Sequence, residues 1–143
     1  PEAARLTALA GAAVLCCPTA IGWHPREKDA SGARQLDAWR TVQRGHAVAN
    51  GAYLAAVNRV GLEIPAEGGE GIEFWGSSFL CDPQGVVLVE APADREELLL
   101  GEVDLDRIED VRRNWPFLRD RRIDAYQGIA RRLLDGEPWG KGR

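Results

Sequence analysis

Three cysteines, two histidines and the pair Ser77-Ser78 are the residues of this chain whose side chains suit nucleophilic or metal chemistry. Hydrolysis by a nucleophile needs a thiolate or alkoxide with a base and an oxyanion donor at hand. Cys16 and Cys17 lie in the apolar run "AVLCC" with no neighbouring acid or histidine, and burial among apolar groups raises a thiol pKa instead of activating it. Cys81 is a further small apolar residue at a strand end. Ser77 and Ser78 lack the G-x-S-x-G elbow, so their hydroxyls are expected to satisfy backbone or line a pocket. His24 and His46 stand at no ligand spacing from each other, from a cysteine or from an acid pair, so no metal site is expected. Glu27, Lys28, Asp29, Glu67, Glu70 and Glu73 read as solvated loop charges. In the stretch Arg112 to Asp124 acids interleave the arginines, which argues for surface ion pairs and against a nucleic-acid patch.

The bulk composition narrows the classes of partner. With 45% hydrophobic and 28% charged residues over 143 positions, the chain has the make-up of a globular domain with one core. A formal charge of -4 supplies no general attraction to nucleic acid or to an anionic membrane. An odd cysteine count with no C-x-x-C pair favours a reducing, cytoplasmic compartment. The most apolar segment, Leu6 to Cys17, is too short to span a bilayer and lacks the basic flank of a signal peptide. No cofactor is implied.

The elements that must position these residues follow from spacing. Pro1 to Ala10 carries Pro at a first-turn position, Glu2 at the favourable end of a helix dipole and Leu6 and Leu9 three apart, which predicts a short helix ended by Gly11. "AVLCC" predicts a buried strand stopped by Pro18, and Thr19 to Arg34, without period, a long loop. Leu36, Trp39, Val42, His46 and Ala49 predict an amphipathic helix over Gln35 to Asn50, closed by Gly51. "AYLAAVN" predicts a central strand covered on both faces. Asp82-Pro83-Gln84-Gly85 has the chemistry of a type I turn, so "SSFLC" and "VVLVEA" should pair antiparallel. "ELLLGEVD" predicts a further strand, and Leu105, Ile108, Val111 and Trp115 a helix capped by Asp104, before a basic tail.

Five blocks then carry a resemblance: "PEAARLTALAGA", "PTAIGWHP", "DAWRTVQRGHAVANGAYLAAVNRVG", "FWGSSFLCDPQG" and "RRNWPFLRDRRIDAY". In order and spacing they resemble the C-terminal half of the nitrilase superfamily of carbon–nitrogen hydrolases, and within it the N-carbamoylputrescine amidases. The resemblance implies an α/β fold, half of a four-layer α-β-β-α sandwich with a mixed sheet and outer helices. It implies a division into residues 1-106, belonging to the hydrolase domain, and 107-143, a helix and tail that contact a neighbouring subunit. The family's Glu, Lys and Cys triad precedes the first matching residue, so no catalytic residue is expected here, and the N-terminal half becomes an expected partner alongside homo-oligomer formation. What this half would supply is the wall of the pocket for a small carbamoyl amine: Pro18, Thr19, Ala20, Trp23 and Trp75, with the amine end held by an indole face or by Glu27. Cys16, Cys17 and Ile123 depart from the residues relatives usually carry. The implied activity is hydrolysis of N-carbamoylputrescine in polyamine synthesis. A β-ureidopropionase-like hydrolase, or a non-catalytic interaction module, is the alternative.

Overall fold

The computed structural model describes residues 1–134. Helix α1 (Glu2–Leu9) leads through Gly11 into strand β1 (Val14–Thr19), and a short β2 (Gly22–Trp23) precedes the long helix α2 (Pro25–Asn50). Strands β3 (Tyr53–Asn58), β4 (Val60–Glu63), β5 (Ile72–Trp75), β6 (Phe79–Cys81) and β7 (Val87–Glu90) follow, then α3 (Leu105–Asn114) and two short 3-10 turns at Ile123–Ala125 and Gln127–Ala130. The strands form two sheets. One is ordered β1-β3-β6-β7, with β1 and β3 parallel and the rest antiparallel, and the other is ordered β2-β5-β4.

One face of the larger sheet makes the core. Leu15, Leu54, Ala56, Phe79 and Cys81 lie beneath Trp39 and Ala47 of α2, joined by Trp75. The α2 helix ends at Gly51 in the left-handed conformation, as its sequence requires. Asp104 caps α3 by accepting from the backbone N–H groups of Asp106 and Arg107. The α3 helix packs on the body through buried Ile108 and Val111. Arg112 reaches from it to the carbonyls of Asn50 and Gly51, acceptors that the end of α2 leaves open, and to that of Ala12 in the turn before β1. In the Asp82–Gly85 turn, Gly85 N–H donates to the Asp82 carbonyl and the buried Asp82 carboxylate accepts from Gln84, Val86 and Arg107.

Four expectations are corrected. The α2 helix begins at Pro25, so most of the segment expected to be a long loop is helix. His24 caps it through Nδ1, Pro25 occupies the first turn, and the Ala, Glu, Lys and Arg that follow are good helix formers. No apolar period marks this part because it overhangs the larger sheet: 26 helical residues span about 39 Å, while the six of β3 span about 20 Å. The second correction is that β1 passes through Pro18 to Thr19, which an edge strand tolerates because no neighbour needs the missing N–H. Third, β1 is not covered on both faces. Leu15 is buried, but Cys16 and Pro18 are exposed; β3 lies nearer the expectation, with Val57 exposed. Fourth, the segment 97–104 forms no strand. It crosses the outer face of the sheet instead of joining an edge, with Gly101 pressed so closely on Leu80 that a Cβ would lie 2.4 Å from Cδ2, while Leu98 and Leu100 stay exposed. The arginine-rich stretch does make local ion pairs, Arg113–Glu109, Arg119–Asp120 and Arg122–Asp124. The end of the expected tail, residues 135–143, lies outside the described residues.

Candidate functional site

The placement of the site follows from chain direction. Each of the parallel strands β1 and β3 is entered from the helix before it by a short turn, so α1 and α2 run back against them. The N-termini of both helices, at Pro1 and His24, are thereby directed toward the edge where β1 and β3 end, at Thr19 and Asn58. Outside the carboxyl ends of parallel strands is where open α/β sheets place ligands.

Thr19 and Asn58 are register partners at this edge. The Thr19 hydroxyl lies 3.0 Å from Asn58 Oδ1 and 3.2 Å from the Val57 carbonyl, one proton serving two acceptors. Asn58 N–H donates to Ser78 Oγ at 2.9 Å, so Thr19, Asn58 and Ser78 form a polar row across the ends of β1, β3 and β6. Pro18 and Ala20 are exposed beside this row. Trp23, half-buried, donates from Nε1 to the Gly32 carbonyl at 3.0 Å, and a Cβ at residue 32 would sit 3.0 Å from that nitrogen, so glycine lets the helix close on the indole.

The two tryptophans are brought together but differ in exposure. Their ring centroids are 5.3 Å apart, and Trp75, 2% exposed, continues to Trp39 at 6.1 Å. Trp75 therefore sits in the core behind Trp23. The face of Trp23 already carries a cation of this chain: Lys28 Nζ lies 5.1 Å from its centroid and donates to both oxygens of Glu73. Glu27 accepts from Gln35 in the first turns of α2. Glu70 pairs with Arg26 at 2.7 Å and stands 3.5 Å from His24. Several charges read as free loop charges thus tie the overhang of α2 to the smaller sheet.

Neither Cys17 nor Cys81 is activated. Burial pushes the Cys17 thiol above its ordinary value and drives Cys81 to about 11, while burial lowers His46. Among the described residues no group of three or more His, Cys, Asp or Glu could hold a metal ion, and no helix is long and apolar enough to cross a membrane. Toward the outer face of the larger sheet, the polar row opens into a groove of about 650 Å³ lined by Ala55, Val57, Leu80, Val89, Leu99 and neighbouring charged residues. Asn58, which with Ser78 connects the edge to this groove, was not singled out from the sequence as a binding residue, whereas the Ser78 hydroxyl, expected to satisfy backbone or line a pocket, does both. A polar residue ending an apolar strand, as in "AYLAAVN", was the one local signal available.

The carboxyl edge of two parallel strands, with an open second face, is a part-site that other structure can complete. The family model for carbon-nitrogen hydrolase matches residues 1–113, and this chain belongs to that family. It is similar to the N-carbamoylputrescine amidases of Solanum tuberosum, 47% identical over 139 residues, and of Arabidopsis thaliana, 43% identical over 138 residues. Each match covers 95% of this chain and 44% of the relative. The fold matches the crystal structure of a carbon-nitrogen hydrolase from Helicobacter pylori G27 with a TM-score of 0.89 and 49% identity, over 94% of this chain and 46% of that one. The chain therefore spans a little under half the length of the relatives it matches.

Proposed function

We propose that this chain is the pocket-walling half of an amidase that hydrolyses N-carbamoylputrescine to putrescine, ammonia and carbon dioxide, a step of polyamine synthesis in the cytoplasm. The observation that carries the reading is the Thr19–Asn58 edge, where both parallel strands end side by side, within residues 1–113 matched by the carbon-nitrogen hydrolase family model. In the reaction that the family resemblance implies, a cysteine thiolate adds to the ureido carbonyl and a lysine steadies the oxyanion. Ammonia leaves with a proton relayed by a glutamate, and water then releases a carbamate that loses carbon dioxide. Those three residues are assigned to the half of the enzyme that this chain does not cover. This half contributes Pro18, Thr19, Ala20 and Trp23 to the wall, with Trp75 supporting Trp23 from the core. Since Lys28 occupies the indole face, the amine of the substrate is better served by Glu27 or by a carboxylate of the other half.

The exposed apolar and aromatic residues after α3, among them Trp115, Phe117, Ile123 and Tyr126, suit a contact with a neighbouring subunit. Ammonia release from N-carbamoylputrescine tests the reading. The chain alone is expected to be inactive, and the same chain joined to an amidase N-terminal half active. Turnover by the chain alone that disappears in Cys16→Ala, Cys17→Ala or Cys81→Ala would overturn the assignment of the nucleophile.

A further inference from the structure

At Asn58 the two sheets part. Residues β1 and β3 pair up to Thr19 and Asn58, after which the chain turns from β3 into β4 of the smaller sheet, and from β1 through Ala20 and Ile21 into β2 of that same sheet. Beyond this point no backbone of β3 is left to pair with Ile21. The Asn58 side chain takes that place: Oδ1 accepts from Ile21 N–H at 3.0 Å and Nδ2 donates to the Ile21 carbonyl at 2.9 Å. A carboxamide is suited to this because it offers one acceptor and one donor in a plane, as a peptide unit does. Aspartate could accept but not donate, and leucine could do neither. The group is 9% exposed, so its bonds face little competition from water. Its own backbone is held by Ser78 Oγ, which fixes it from the β6 side.

We propose that Asn58 is a positioning residue that sets the Ala20–Trp23 wall relative to Thr19, and through that wall determines which carbamoyl amine the site accepts. This rests on the amidase reading. Removing one or both bonds to Ile21 takes away single hydrogen bonds of modest net worth, enough to shift the wall's population without unfolding a sheet.

The test uses the active enzyme carrying both halves, with Asn58→Asp as the near-isosteric variant and Asn58→Leu as the stronger one. Steady-state kinetics are measured on N-carbamoylputrescine and on its homologue one methylene longer, with hydrogen exchange at the Ile21 amide. Asn58→Asp is expected to raise KM for N-carbamoylputrescine about 10-fold with kcat within about threefold and to narrow the preference between the two substrates, and both Asn58 variants are expected to speed exchange at the Ile21 amide, Asn58→Leu the more. If Asn58→Leu does not fold, Asn58→Asp still decides. A folded Asn58→Asp enzyme with unchanged preference and unchanged KM would overturn the assignment. A wild-type enzyme that turns over no carbamoyl amine would instead overturn the amidase reading beneath it.

Discussion

The two faces of the larger sheet are built differently from the same strands. Toward α2, Leu15, Leu54, Ala56, Phe79 and Cys81 meet Trp39, Ala47 and Trp75 in a closed core. Away from α2, Cys16 and Val57 are exposed and Ala55, Leu80 and Val89 line an open groove, crossed by the segment 97–104 with its exposed leucines. The inner face is complete within this chain, whereas the outer face carries apolar groups that gain from another layer. Chain alternation allows this division, because successive side chains of a strand serve opposite faces. Cys16 and Cys17 are adjacent in sequence yet differ in exposure for that reason.

The largest expected effect comes from breaking the closed face. Trp75→Ala should cost about 3 to 5 kcal/mol, by loss of a ring that packs on both Trp23 and Trp39. Val57→Ala, on the open face, should shift the isolated chain by within about 0.5 kcal/mol. Urea unfolding of the two variants measures the contrast. With the other half present the Val57→Ala cost should rise, and equal costs for the two residues in the isolated chain would erase the distinction between the faces.

How far this contrast could be read in the sequence depends on how local its cause is. The cap at Asp104, the turn at Asp82–Gly85, the close of α2 at Gly51 and the pairing of β6 with β7 were all legible, because each is decided by residues within a few positions. The first half of α2 was not, since periodicity reports a buried stripe and this part overhangs the sheet. "ELLLGEVD" has the composition of a strand, but whether it joins an edge or lies across a face is decided by Leu80 and Val89, distant in sequence. In the candidate site, Thr19 and Trp23 were named from the sequence through the block that contains them. Asn58 was missed because its partner Ile21 lies 37 positions away and nothing near either residue announces the bond.

The cysteines test the contrast at smaller amplitude. Alkylation should reach exposed Cys16 first, half-buried Cys17 more slowly and buried Cys81 last, with Cys16 protected once a layer covers the outer face. Cys81 also predicts a pH dependence. Its thiol stays neutral in the folded chain up to about 11, against an ordinary value of 9.0, because burial penalises the thiolate. In the unfolded chain the thiol ionises first, so its contribution to stability is full below pH 9.0 and is lost as pH rises through about 11. Cys81→Ala should therefore remove part of the alkaline decline seen in denaturant midpoints between those values. Parallel declines in both proteins would place the thiol outside the closed core.

The smallest effect is expected where the chain turns from one sheet to the other. Gly76 and Ser77 both adopt left-handed backbone, with φ of 51 and 53, so that Trp75 can end in the core while Phe79 starts the next strand. For an L residue such as Ser77 that conformation costs about 1 to 2 kcal/mol, which Ser77→Gly would relieve. The same change removes the 2.9 Å bond from Ser77 Oγ to the Trp75 carbonyl, worth about 0.5 to 1.5 kcal/mol, and adds the freedom of glycine in the unfolded chain, about 0.5 to 1 kcal/mol. The terms oppose each other, so Ser77→Gly should leave stability within about 1 kcal/mol of wild type. Gly76→Ala has no such compensation: its Cβ would meet Val60 Cγ1 at 2.7 Å and the carbonyls of Pro92 and Ala93 at 2.9 Å, on a left-handed backbone. It should cost clearly more than Ser77→Gly in the same urea titration. The reverse order would mean that the corner is held by the Ser77 hydroxyl and not by the close approach of β4 and the 92–93 backbone, and the separation of the two sheets would then need another cause.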